Sequence, residues 1–172
     1  MTSSDTMQDI ALKILIGLFA VFAILFLAVP FLYQPGTFLD LDGSPSIIDR
    51  DWSSYGAGGI VYLIGDLLCH QEHARSFILN GNQMPICIRD TGLIIGLDVG
   101  LVCGLLHNRW MGRKKVLLTG FLLLLPTLFE WIAEHAFDLD LPGIRFVAAL
   151  VSGFGAALIV CFLIYRNAAN QL

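Results

Sequence analysis

A chain of 172 residues that is 56% hydrophobic and only 14% charged carries more uninterrupted apolar length than a soluble domain of this size needs for its core. Its formal net charge of -4, with no basic cluster large enough to track phosphates, excludes nucleic acid as a partner. These totals predict a single all-α membrane domain, a polytopic helix bundle of about four transmembrane helices whose first partner is the lipid bilayer.

The N-terminal stretch MTSSDTMQDI has no basic region, and no small-residue cleavage site follows before Gln34 and Pro35. The first apolar run, residues 14–33, is therefore expected to be a retained helix rather than a signal peptide. It is long enough to cross about 30 Å of hydrocarbon, which takes roughly 20 apolar residues. Residues 34–90 then form a polar segment with Asp40, Asp42, Asp49 and Asp51 near its start. Within it, residues 56–68 are apolar but short and interrupted by Asp66, which predicts an interfacial or re-entrant helix. If that stretch crossed instead, there would be five spans and the N-terminus would lie outside.

The second span, 91–107, is shorter than the others and contains Asp98. Its glycines Gly92, Gly96, Gly100 and Gly104 recur at every fourth residue, leaving one face bare for close helix contact. Ala148, Ser152 and Ala156 in the last span repeat the spacing and are the expected partners. Asp98 falls almost opposite the glycines at 100° per residue, and needs a helix, cavity or subunit to meet it, or a proton to neutralise it.

Residues 108–115 hold Arg109, Arg113, Lys114 and Lys115, the densest basic stretch, which places this turn in the cytoplasm. The spans at 116–135 and 144–165 follow, joined by an acidic turn containing Asp138 and Asp140. Both termini are then cytoplasmic in a multi-pass protein of the cell membrane, and residues 34–90 are extracytoplasmic. This topology puts Cys69, His70, Cys87, Asp90, Arg75 and Arg89 at the outer mouth, together with Glu130, Glu134, His135 and Arg145 from the outer helix ends.

Cys69, His70, Cys87 and Asp90 are the ligand types that zinc accepts. A disulfide between Cys69 and Cys87 and a pair of free thiols are the competing readings, because no paired Cys-x-x-Cys clusters are present. Cys103 and Cys161 lie within spans and are expected in the core. His73 reads equally well as a surface residue, and His107 borders the basic turn. Glu130 and Glu134 share a helix face one turn apart, and Pro126 four residues earlier can open a pocket there. Their expected partner is Arg145, Arg89 or Arg75, either in a structural ion pair or in an active site.

The run Cys69-His70-Gln71, Arg75-Ser76-Phe77, Gln83 and Pro85, Cys87-x-Arg89, and Thr91-Gly92 with Gly96 resembles a family of small predicted membrane proteins of unknown function, over roughly residues 60–160. Pro126 with Glu130, and Arg145 with Gly153, look like the later part of that family's pattern. Asp90 stands where the family usually has a second cysteine, and Glu130-Trp131 where it usually has Asp-Gly. The first departure weakens a thiolate-rich site; the second keeps the carboxylate and changes its reach.

Two functions from different classes are carried forward. One is an accessory subunit of a larger membrane complex, or a homo-oligomer, with a polar and metal-binding outer site. The other is a membrane-embedded enzyme on an anionic lipid or amphipathic substrate, with Arg75, Arg89 and Arg145 holding the anion and Glu130 as base or metal ligand. Glu130 and Arg145 are its candidate catalytic residues. A transporter ranks third, since no internal repeat is visible.

Overall fold

The computed structural model describes residues 3–44, 47, 48, 50–137, 139 and 141–169. Asp49, Asp138 and Asp140 of the predicted polar loops, and the side chain of Arg109, lie outside the described residues. The chain is mostly helical: α1 (Ser3–Ala28), α2 (Gly56–Leu68), α3 (Ile88–Leu106), the single turn α4 (Asn108–Met111), α5 (Lys114–Phe137) and α6 (Pro142–Ala169). Two strands, β1 (Ser76–Leu79) and β2 (Asn82–Cys87), pair antiparallel between α2 and α3. The chain divides into two compact units, Met1–Val21 with Gly92–Leu172, and Phe22–Thr91.

Among the described residues, three stretches are long and apolar enough to cross a membrane: Met7–Leu32, Lys114–Phe137 and Pro142–Arg166. They correspond to the first, third and fourth predicted spans. The second, α3, is a continuous helix of 19 residues but carries Arg89, Asp90 and Asp98, so its apolar length alone does not mark it as a crossing. The 13-residue α2 is too short to cross unaided.

In the unit of residues 1–21 and 92–172, α5 and α6 pack along their length, and Leu12, Leu101, Met111, Ala157, Leu158, Cys161 and Tyr165 form the buried centre. The predicted glycine face of α3 does meet α6. A Cβ on Gly96 would sit 2.0 Å from the Leu150 carbonyl oxygen, so only a bare backbone fits there. The partner face, however, differs from the expected Ala148, Ser152 and Ala156. Against α3 stand Ala149, Gly153 and Ala157, while Ser152 turns to α5. There its hydroxyl lies 3.0 Å from the Leu123 carbonyl and 3.4 Å from the Thr127 N–H. Pro126 breaks the backbone ladder of α5 in this turn, and a small polar group on the neighbouring helix is what can satisfy the groups beside the break.

In the unit of residues 22–91, an aromatic core of Tyr33, Phe38, Trp52, Tyr55 and Tyr62 gathers around Phe38, whose ring stacks on Tyr62 with centroids 4.0 Å apart. Asp66, which interrupts the apolar pattern of α2, is buried and accepts the Trp52 indole N–H at 2.8 Å. The two-stranded sheet departs from the expected all-helical fold. Its turn is Asn80-Gly81, both left-handed at φ 51° and 67°, the pair that suits a tight hairpin. Ile78 pairs with Gln83 and Leu79 with Asn82, and the register then slips before Ser76 meets Cys87. Pro85 lies in that slipped stretch, where it has no N–H to offer the ladder.

Candidate metal centre and a buried ion-pair cluster

Cys69 and Cys87 arrive from opposite ends of the hairpin. Cys69 caps the C-terminus of α2, its N–H donating to the Gly65 carbonyl at 2.8 Å. Cys87 ends β2 immediately before α3, and its N–H donates to Cys69 Sγ at 3.3 Å. Asp90, in the first turn of α3, reaches back so that Cys87 Sγ donates to its Oδ2 at 3.2 Å, while the Asp90 N–H points at Cys87 Sγ from 3.5 Å. The donor atoms of Cys69, Cys87 and Asp90 all lie within 4.8 Å of one another.

His70, the fourth expected ligand, is not in this group. Cys69 is extended at φ -140° and ψ 151°, and in extended chain successive side chains point to opposite sides. Burial of the thiol therefore turns the imidazole outward, and His70 is exposed.

The two thiols differ in acidity. Cys69 is pushed above the usual thiol range by its hydrogen bond with Cys87, by burial, and by the neighbouring charges of Cys87 and Asp90. Cys87 is held below that range, first by the hydrogen bond from Cys69 and also by the Asp90 N–H, against the opposing effects of burial and the Asp90 charge. Three acidic groups crowded this closely resist joint ionisation, because like charges at such separations repel.

Around the thiols stands a frame of buried side-chain amides that sequence reasoning quoted as motif letters without assigning a role. Gln71 donates to the Pro85 carbonyl at 2.8 Å and the Tyr62 carbonyl at 3.2 Å. Gln83 donates to the Gln71 carbonyl and to Ser76 Oγ, and accepts the Leu41 N–H at 3.2 Å. Ser76 Oγ donates to the Glu72 carbonyl at 2.8 Å and Thr91 Oγ1 to the Cys87 carbonyl at 2.9 Å. His73, for which a surface position was one reading, is half-exposed; its Nδ1 lies 3.3 Å from Gln83 Oε1 and its N–H donates to Asp42 at 2.7 Å. Arg75 pairs with Glu72 at 2.9 Å and, like Arg89 in the first turn of α3, is partly buried.

In the other unit, Arg145 on α6 is 1% exposed and engages both carboxylates of α5: its Nε lies 3.2 Å from Glu130 and its Nη2 2.8 Å from Glu134. A single guanidinium thus takes the pair that the four-residue spacing aligned. Asp98 is partly buried, and its Oδ1 is enclosed without a hydrogen-bond partner among the described residues. Cys161 is core, as expected, and His107 is exposed with Nδ1 on the Cys103 carbonyl at 3.1 Å.

Residues 69–159 match a family described as predicted membrane proteins, DUF2085. The chain belongs to the DUF2085 family. The matched stretch begins at Cys69, at the first of the two clustered thiols, and runs past Arg145 into α6. An uncharacterized protein of Methanocaldococcus jannaschii is 38% identical over 42 residues, which are 24% of this chain and 27% of that protein. The chain therefore matches about a quarter of that relative's length. No solved structure matches this DUF2085 protein.

Proposed function

We propose that this chain is an integral membrane protein whose extracytoplasmic segment 34–90 builds a zinc-type centre from Cys69, Cys87 and Asp90. The observation that carries the reading is the approach of the three donor atoms to within 4.8 Å. Two sulfur ligands on one tetrahedral zinc, at about 2.3 Å each, sit roughly 3.8 Å apart, so a small inward movement would complete the set. The cation would stabilise both thiolates beside a carboxylate and tie the end of α2 to the start of α3. In this reading the centre staples the outer segment of an accessory subunit, and α3 with Asp98 and the lipid-exposed helices provide docking faces for neighbours in a membrane complex.

Three protein ligands also leave one tetrahedral position open, the arrangement of zinc sites that bind water or substrate. That count favours a second reading, a membrane-embedded enzyme on an anionic amphipathic substrate, with Arg75 and Arg89 of the same unit as anion-binding groups.

Metal analysis of the full chain purified in mild detergent tests the centre. About one zinc per chain is expected, lost in Cys69→Ser and in Cys87→Ser, with affinity reduced by at least about 10-fold in Asp90→Asn. A metal-free protein with both thiols titratable would overturn the proposal, as would a Cys69–Cys87 disulfide released only by reductant. Co-purification of other subunits in fixed ratio separates the accessory role from the enzymatic one.

A further inference from the structure

We propose that the turn between α3 and α5 is a binding surface for anionic phospholipid headgroups. The inference stands apart from the thiol cluster and uses none of its residues. Four of the chain's ten Lys and Arg residues fall within 108–115. Arg113, Lys114 and Lys115 are exposed, and among the described residues no carboxylate pairs with any of them. Asp9 of α1, whose carboxylate reaches this turn at Asn108, is engaged by the Tyr165 hydroxyl at 2.7 Å and the Asn108 amide at 3.4 Å.

The turn is held in one shape. His107 closes α3 by donating its N–H to the Cys103 carbonyl at 3.0 Å, and Trp110, Arg113 and Val116 each donate to a carbonyl three residues back. Met111 points into the helix core beside Tyr165. That inward residue leaves Trp110 outside, 55% exposed, with the Arg113 guanidinium 3.8 Å above its ring centroid. A ring stacked in this way orients the guanidinium and suits the boundary between hydrocarbon and water.

Lys114 and Lys115 occupy the first turn of α5, which contains no acidic residue. Two cations at the positive pole of a 24-residue helix repel it. An external anion placed there would relieve that repulsion and meet the open N–H groups of the helix end.

The apolar surroundings decide which anion. Leu106 beside the turn is 73% exposed and Leu118, one turn into α5, is 61% exposed. An occupant that satisfies both the cations and these side chains carries a phosphate next to acyl chains. Juxtamembrane basic clusters attract anionic lipid by this means.

Quenching of tryptophan fluorescence by brominated lipid tests the proposal on the full chain reconstituted in phosphatidylcholine vesicles. The contribution of Trp110 is obtained as the difference between wild type and Trp110→Phe, which leaves the signals of Trp52 and Trp131. Brominated phosphatidylglycerol is expected to quench that share with a preference on the order of 5-fold over brominated phosphatidylcholine. The preference should vanish in the combined variant Arg113→Gln, Lys114→Gln, Lys115→Gln. Equal quenching by the two lipids, absence of quenching by either, or a preference that survives the triple substitution would each overturn the proposal. So would loss of the preference on adding inorganic phosphate at constant ionic strength, which would assign the surface to a soluble anion. Should the triple variant fail to fold, raised salt applied to the wild type must lower the preference; persistence at high salt overturns it.

Discussion

Gln83 illustrates how much of the outer segment hangs on single buried polar side chains. Its amide fills three roles at once, toward Leu41, Gln71 and Ser76, and it is fully buried. Gln83→Ala would strand the Leu41 N–H and the Gln71 carbonyl away from water, at a cost of about 1–3 kcal/mol for each group left unmade. The expected result is a lower unfolding midpoint in detergent together with faster labelling of the Cys69 thiol. A surface amide such as Gln34, which is exposed, should leave the labelling rate unchanged when replaced by Glu. Arg145 is a sharper case because charge is involved. Arg145→Met leaves Glu130 and Glu134, 8% and 7% exposed, facing each other without the guanidinium, and should destabilise by roughly 3–5 kcal/mol. Adding Glu130→Gln and Glu134→Gln to that variant should recover most of the loss in thermal melts.

At the scale of elements, the contact between α3 and α6 rests on the absence of side chains. Gly96→Ala would force a Cβ into the Leu150 carbonyl, an obstacle made of backbone and therefore unable to rotate aside. The two helices would have to separate, and a fall in stability of about 1–3 kcal/mol is expected from overpacking of this kind. Gly17→Ala in α1 is the control: nothing lies within 4 Å of the added atom, so the melting temperature should hold or rise. The long helices were legible in the sequence because hydrocarbon demands length and apolarity, and both can be counted. The glycine ladder was equally plain, but its partner face was displaced by one residue. Small residues occur at both registers of α6, and spacing alone does not say which row faces α3 and which faces α5. The hairpin was missed although Asn80-Gly81 signals one. Its second strand is buried almost throughout, so Asn82 and Gln83 face inward and no polar-apolar alternation remains to be read. At the candidate site, residue type identified Cys69, Cys87 and Asp90, while the extended backbone at Cys69 removed His70. That distinction lies in a dihedral angle, which composition and spacing do not encode.

For the whole molecule the number of crossings turns on α3. Among the described residues three helices are long and apolar enough by themselves, which would leave 108–115 on the same side as 34–90 if α3 did not cross. Charge asymmetry argues for the crossing, since it lets the basic turn lie inside while the acidic segment lies outside. The cost is Asp98 at membrane depth, a few kcal/mol unless it is paired or protonated. Tight packing of α3 on α6 through the glycines supports the crossing, because a helix held against a spanning partner need not be apolar all round. Reporter fusions read the answer directly, using alkaline phosphatase, active only outside, and a fluorescent protein, bright only inside. Fusions after Gly43, Gly81 and Leu141 should show phosphatase activity, and those after Gly112 and Arg166 should fluoresce. Matching signals at Gly81 and Gly112 would remove α3 from the spans. Fluorescence at Gly43 with phosphatase at Gly81 would instead make α2 a crossing and put the N-terminus outside. Neutralising Arg113, Lys114 and Lys115 together should blur the signal at Gly112 toward mixed orientation if these cations set the topology, and leave it unchanged if the packed helices alone do.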